Sequence, residues 1–178
     1  MPRLVAFLRA INVGGHVVKM TQLKALFEAM ALDDVETFIA SGNVIFTSSA
    51  KAATLEPRIE KQLRAALGYE VRTFVRSTGE VAEIAAYEPW SAADVAAARS
   101  LNVGLLAAPM PAAGAKALMS LRTEMDDFHV RGREVWWKCV LGQADSKFSN
   151  VAFEKLTGRA ATFRNVNTMR RLAAKYPV

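Results

Sequence analysis

Leu4, Val5, Ala6, Phe7 and Leu8 follow one another with no polar residue between them. A short run with no polar face predicts a central strand, buried on both sides, over Arg3–Leu8. A loop, Arg9–Lys19, comes next. Leu23, Leu26, Phe27 and Met30 then recur at i, i+3, i+4 and i+7, the period of a helix, with Thr21 as its predicted N-cap. Val35–Ala40 and Val44–Thr47 are two short apolar runs around Ser41-Gly42-Asn43 and predict a β-hairpin. Leu55, Ile59, Leu63 and Leu67 sit at steps of four residues, and Gly68 is placed to end that helix. Val71–Arg76 reads as a further strand, and Ser77 as the cap of a short helix reaching about Tyr87.

The predicted order β-α-β-β-α-β-α is ferredoxin-like: a four-stranded sheet with helices on one face. Glu88-Pro89-Trp90-Ser91 interrupts the pattern, which sets the expected boundary between subdomains 1–90 and 91–178. The second half partly repeats the first. Ser91 caps a short helix over Ala92–Arg99, Leu101–Ala107 is a strand, and Pro111–Leu121 is a helix with proline near its first position. Phe128–Arg131 and Glu134–Leu141 form a hairpin around Gly132. A helix over Val151–Leu156 ends at Gly158, and Asn167 or Thr168 caps a last helix carrying Met169, Leu172, Ala173 and Tyr176 on one face. The expected fold class is therefore α+β with two similar small subdomains, the second a partial copy of the first in element order alone.

Composition limits the function classes. A hydrophobic fraction of 52% supplies a core, and no apolar run approaches the roughly 18–20 residues of a membrane helix. The apolar start is short and interrupted by Arg9, so it reads as a buried strand and not as an export signal. With Cys139 the only cysteine, an internal disulfide is excluded and a cytoplasmic location is expected. The net charge of +6 is uneven: residues 1–90 carry ten Lys/Arg against ten Asp/Glu, and residues 91–178 carry thirteen against seven. A basic second half suits an anionic partner, or simply a solvated face.

Three polar motifs fall at the ends of predicted elements: Arg9-Ala-Ile-Asn12-Val-Gly14-Gly15, Ser41-Gly-Asn43, and Thr162-Phe-Arg164-Asn165-Val-Asn167-Thr168. Adjacent glycines at positive φ present bare N–H groups that can cradle an anion, with Arg9 as counter-charge and Asn12 as an amide. Neither a P-loop nor a dinucleotide fingerprint is spelled, because the Gly-Lys-Ser/Thr and the third glycine are missing. Arg164, Asn165, Asn167 and Thr168 precede a helix whose first N–H groups favour an anion, with Arg164 as a bidentate partner. Against this stand plainer readings: glycines that only turn the chain, hairpin chemistry at Ser41 and Asn43, and an over-built helix cap.

LRAINVGGH, VKMTQLKALFE, TFIASGNVIF, SKF, FEKLTG and TFRNVNTMRRLA in this order resemble the bacterial domain-of-unknown-function family 1697, over nearly the whole chain. The resemblance implies a cytosolic α+β protein of two similar small subdomains and implies no established activity, cofactor or substrate. His16 and Val166 stand where the family pattern leads one to expect Lys and Trp.

Catalytic constellations are scarce. His16 is expected to be a solvent-exposed loop residue and His129 a satisfied structural one; no zinc spacing and no HExxH occur. Cys139 alternates with Val135, Trp137 and Leu141 and is expected in the core. Asp126-Asp127 point apart on a strand. Trp136 and Trp137 face opposite sides of one strand, which leaves one of them available for exposure. The leading expectation is a protein that binds a phosphate-bearing small molecule or nucleotide in a cleft between subdomains, with Arg9, Asn12, Gly14, Gly15, Ser41, Asn43, Arg164, Asn165, Asn167 and Thr168 as ligand-binding residues. No metal is expected and no cofactor is implied. The alternatives are nucleic-acid binding by the basic half and a non-catalytic interaction module whose motifs are folding devices.

Overall fold

A computed structural model describes residues 1–40, 42–142 and 144–178. The chain forms two compact units: residues 1–82 joined by 172–178, and residues 83–171.

The first unit contains β1 (Arg3–Leu8), α1 (Met20–Glu28), β2 (Asp33–Phe38), β3 (Asn43–Thr47), α2 (Ala52–Leu67) and β4 (Thr73–Ser77), with α3 (Thr78–Ala86) leading out of it. Its strands pair antiparallel in the order β2-β3-β1-β4. Leu4, Ala6 and Leu8 of β1 meet Val44, Phe46 and Val75 on one face, under Leu23 and Phe27 of α1 and Leu55, Ile59 and Leu63 of α2. Each large side chain in this layer contributes roughly 1.5–3 kcal/mol by leaving water. Val5 and Phe7 point the other way and are equally buried, which is why β1 shows no polar alternation.

The free edge of β4 is closed by carboxylates. Glu60 Oε1 accepts from the Thr73 N–H (2.9 Å), Glu56 Oε1 from the Val75 N–H (2.8 Å) and Glu80 Oε2 from the Ser77 N–H (2.8 Å). Alternate outward donors of an edge strand are thus occupied by side chains instead of being open to another strand. The Glu80 bond is reciprocal, since Ser77 Oγ accepts from the Glu80 N–H, which makes Ser77 and Glu80 a capping box for α3. The opposite edge, β2, carries Asp33, Asp34 and Glu36 and is bulged between Asp33 and Glu36, where Asp34 has φ +49°. The C-terminal turn docks on this edge: Tyr176 Oη and Lys175 Nζ both donate to Glu36 Oε2 (2.7 and 2.9 Å), and Phe38 meets the Tyr176 ring edge-on.

The second unit contains the end of α3, then α4 (Ala92–Ala97), β5 (Ser100–Leu105), α5 (Ala112–Met119), β6 (Asp126–Arg131), β7 (Glu134–Cys139), α6 (Asn150–Thr157), β8 (Thr162–Asn165) and most of α7 (Val166–Lys175). Its sheet order, β6-β7-β5-β8, reproduces that of the first unit strand for strand. The copy is fuller than element order in the sequence suggests, because Thr162–Asn165 is a fourth strand where a capping loop is expected. Phe128, Val135, Trp137 and Cys139 pack with Leu118 of α5 and Phe153 of α6.

Several local expectations are corrected. α1 begins at Met20 after Lys19, whose carbonyl accepts from the Leu23 N–H (2.9 Å), so Thr21 lies inside the first turn and caps nothing. Pro111 occupies the N-cap of α5 itself. Val17 is 83% exposed, while Val18 beside it is buried. Trp136 and Trp137 are both buried, on the two faces of β7, so neither indole is exposed.

Candidate functional site

The first two polar motifs meet. β1 ends, β2 ends, β3 begins and β4 begins at one end of the first sheet, so the loop after β1 and the turn between β2 and β3 are neighbours there. Asn12 joins them. Its Oδ1 accepts from the Val18 N–H (2.8 Å), folding the loop back on itself, and its Nδ2 donates to the Ala40 carbonyl (3.3 Å). The Leu8 N–H donates to the Gly42 carbonyl (2.8 Å), and the Arg9 N–H donates to the Arg72 carbonyl (2.8 Å), which ties in the start of β4.

Gly42 has φ +77°, and a Cβ on it would lie 2.8 Å from Ile11 Cγ2 and 3.2 Å from Leu8 Cβ. Both neighbours are buried, so the turn rests on the loop at a distance only glycine permits. Asn43 is fully buried, and its Nδ2 donates to the Phe38 carbonyl (2.9 Å), closing the hairpin from inside. Asn43 therefore shapes the turn. Ser41, the remaining residue of that motif, lies outside the described residues.

Gly14 and Gly15 differ from Gly42. They have φ +69° and +84°, and an added Cβ at either would meet nothing within 4 Å. Around them Arg9 is half-buried, while Asn12, Val13, His16 and Val17 are exposed. His16 is indeed an exposed loop residue, yet it is ordered by contact: its ring stacks on Tyr69 with centroids 3.9 Å apart and planes 19° from parallel. Tyr69 Oη donates to the Ile11 carbonyl (2.9 Å), and burial pushes its phenol above the ordinary range. Tyr69 escapes sequence reading because it follows the helix-ending Gly68 with no periodic partner. The loop end thus combines an arginine, an amide, two exposed glycines and a stacked aromatic pair. Such a set can hold an anionic group beside a planar one.

The third motif belongs to the second unit. Arg164 faces inward from β8, 8% exposed, opposite Val103. Its Nη1 donates to Thr162 Oγ1 (2.8 Å) and to the Phe163 carbonyl (3.0 Å), and burial pulls its guanidinium down to about 10, still charged at neutral pH. Arg76 holds the same register position in the first sheet, opposite Val5, fully buried, with Nη1 donating to the preceding Val75 carbonyl (3.0 Å). The last strand of each sheet therefore buries one arginine. Asn165 ends β8, and its Oδ1 accepts from the Asn167 N–H (2.9 Å), so Asn165 caps α7 where Asn167 or Thr168 is expected to. Asn167 is exposed, with Oδ1 accepting from Arg170 Nη1 (3.3 Å), and Thr168 is half-buried.

Elsewhere the polar groups hold the framework. Asp126 is buried and accepts from Trp137 Nε1 (2.7 Å) and Ser146 Oγ (2.9 Å), so the Asp145-Ser146-Lys147 turn is anchored through its serine. Asp127 points away, to Trp90 Nε1 (2.9 Å) and Arg122 (2.6 Å). His129 Nε2 lies 2.8 Å from Tyr87 Oη. Cys139 is buried, and burial raises its thiol above the ordinary range. No helix among the described residues is long and apolar enough to cross a membrane.

The family model described as "Protein of unknown function (DUF1697)" matches residues 1–136. No curated protein matches the chain. Among solved structures, the chain is similar to the conserved bacterial protein SP0830 from Streptococcus pneumoniae. The two are 22% identical and superpose with a TM-score of 0.71 over 97% of each chain, a likeness of fold.

Proposed function

Because the chain belongs to the DUF1697 family of proteins of unknown function, we propose its role from its own geometry: it binds a phosphate-bearing small molecule or nucleotide at the loop end of the first sheet. The observation that carries this reading is the bridge made by Asn12 between the open diglycine loop and the β2–β3 turn. It gathers Arg9, Asn12, Gly14 and Gly15 at one end of a rigid sheet, the usual arrangement of a loop-built site. In this reading the Gly14 and Gly15 N–H groups and Arg9 meet the phosphate, Asn12 supplies a specific hydrogen bond, and the stacked His16–Tyr69 pair offers a ring face to a base. Gly42 and Asn43 hold the turn in place. Arg164, Asn165, Asn167 and Thr168 enter as a separate element of the second unit. The setting we infer is the cytoplasm, where a lone reduced thiol such as buried Cys139 is at home.

Thermal-shift measurements with nucleotides and phosphorylated metabolites, on wild type, Arg9→Ala and Gly15→Val, test the proposal. A ligand at 100 times its Kd adds about 2.7 kcal/mol of stability to a single-site protein. Stabilisation of the wild type that both variants lose supports the reading. Equal stabilisation of all three refutes it. A long polyanion bound through its backbone would instead show affinity falling steeply with salt.

A further inference from the structure

The second unit carries a cavity of about 270 Å³ beside the Asp145-Ser146-Lys147 turn. Its wall is largely apolar, built by Leu121 just beyond α5, Ala152 in the first turn of α6 and the ring of Phe148. Phe148 belongs to an aromatic cluster. Its centroid lies 4.7 Å from that of Trp137, 4.8 Å from Phe128, 5.7 Å from Phe163 and 6.3 Å from Phe153. It is nonetheless 9% exposed and lines the cavity, so a further ring lodged there would extend the cluster in the tilted or edge-on contacts that aromatic pairs favour.

The charged groups of the lining are unequal. Asp126 is the one carboxylate among the described lining residues, and it is buried and engaged: Oδ1 accepts from Trp137 Nε1 (2.7 Å), and both oxygens accept from Ser146 Oγ (2.9 Å). The two cations are at the surface. Lys147 is exposed and enters no ion pair among the described residues. Arg122 meets Asp127 through Nε (2.6 Å), and its side chain is 54% exposed, which leaves both Nη groups as donors. A cationic guest would find its only counter-charge already engaged. A dianion would be opposed by Asp126. An apolar ring carrying a single negative charge suits both the wall and the cations, the usual division of a small-molecule site into apolar lining and a few polar groups.

We infer that this cavity binds a small aromatic monocarboxylate, its ring against Leu121, Phe148 and Ala152 and its carboxylate at Lys147 and Arg122. Sites for drug-sized molecules run from about 300 to 1,000 Å³, so the volume here admits one ring and a short chain. The site shares no residue with the phosphate reading of the first unit.

Trp137 reports on the site, because its indole N–H is bonded to Asp126 and its ring packs on Phe148. In the full chain, Trp137→Phe and Trp136→Phe each delete one indole ¹⁵N–¹H cross-peak and so assign it. Phenylpropionate titrated into wild type is expected to move the Trp137 peak saturably, while the Trp136 peak, from the opposite face of β7, stays in place. Phenylpropanol, the same ring without the charge, should bind severalfold more weakly. Lys147→Gln, a surface change that leaves the core intact, should weaken phenylpropionate severalfold and leave phenylpropanol unchanged. A Trp137 peak that ignores phenylpropionate overturns the proposal, as does phenylpropanol binding as tightly as the acid or a Lys147→Gln variant that binds the acid like wild type.

Discussion

Replacing Gly42 by alanine should cost about twice as much stability as replacing Gly14. Both glycines sit at positive φ, +77° and +69°, so alanine at either position meets the left-handed penalty of roughly 1–2 kcal/mol. Their surroundings differ. At Gly14 an added Cβ has nothing within 4 Å, whereas at Gly42 it lies 2.8 Å from Ile11 Cγ2, 3.2 Å from Leu8 Cβ and 3.5 Å from the Leu8 carbonyl oxygen. Leu8 and Ile11 are 1% and 2% exposed, and the Leu8 N–H is bonded to the Gly42 carbonyl, so neither neighbour can withdraw without disturbing the core. Forcing one carbon into packed surroundings costs about 1–3 kcal/mol. Gly42→Ala should therefore lose about 2–5 kcal/mol and Gly14→Ala about 1–2, a difference that isolates the contact from the backbone term. Urea denaturation followed by far-UV circular dichroism, with unchanged denaturant slopes, measures both. Equal losses within about 0.5 kcal/mol would refute the contact between turn and loop, and with it the joining of the first two motifs.

Other perturbations follow from the same geometry. Asn12→Ala removes the acceptor of the Val18 N–H and the bridge to Ala40, so it should cost about 1–2 kcal/mol and speed amide exchange at Val18; unchanged exchange would contradict the bridge. Glu56→Ala strips the buried Val75 N–H of its acceptor, a loss of about 1–3 kcal/mol, and the Glu56→Ala/Glu60→Ala pair should self-associate through the β4 edge in sedimentation; a stable monomeric double variant would contradict edge protection. Lys175 first, and then Tyr176, hold the Glu36 carboxyl below its ordinary value of 4.5. A lowered carboxyl stabilises the folded state fully above its unfolded value and loses that contribution as pH falls through the folded one. Docking of the C-terminal turn should thus loosen below about pH 4.5, read from the Tyr176 ring resonances, and Glu36→Gln should abolish this response.

Much of the fold is legible along the chain because hydrophobic burial and local geometry coincide there. β1 is buried on both faces and reads as an unbroken apolar run; Gly68 and Gly158 end α2 and α6 with φ +83° and +67°; Ser91 accepts from the Asp94 N–H as a cap should. β8 fails this test because a charged residue takes an inward position. Arg164 is buried like an apolar side chain, with its donors directed to Thr162 and the Phe163 carbonyl, and no periodicity reveals a strand whose core residue is an arginine. The site divides in the same way. The residue types at Arg9, Asn12, Gly14 and Gly15 announce an unusual loop, but its junction with the β2–β3 turn depends on strand order and on the close approach at Gly42. Tyr69 joins through its side-chain hydroxyl, which donates to the carbonyl of Ile11, a residue far from it in the chain. The family resemblance that the motifs carry holds, and it supplies the fold without a reaction.

A phosphate site built on the diglycine loop would show in backbone ¹⁵N–¹H spectra during titration with inorganic phosphate and then with a nucleotide. Saturable movement of the Gly14, Gly15 and His16 amide peaks is expected, tighter for the nucleotide than for phosphate, and lost in Arg9→Ala while Gly42 and the β1 amides hold their positions. Peaks at Gly14 and Gly15 that stay fixed through the titration, or that move identically in Arg9→Ala, would contradict it.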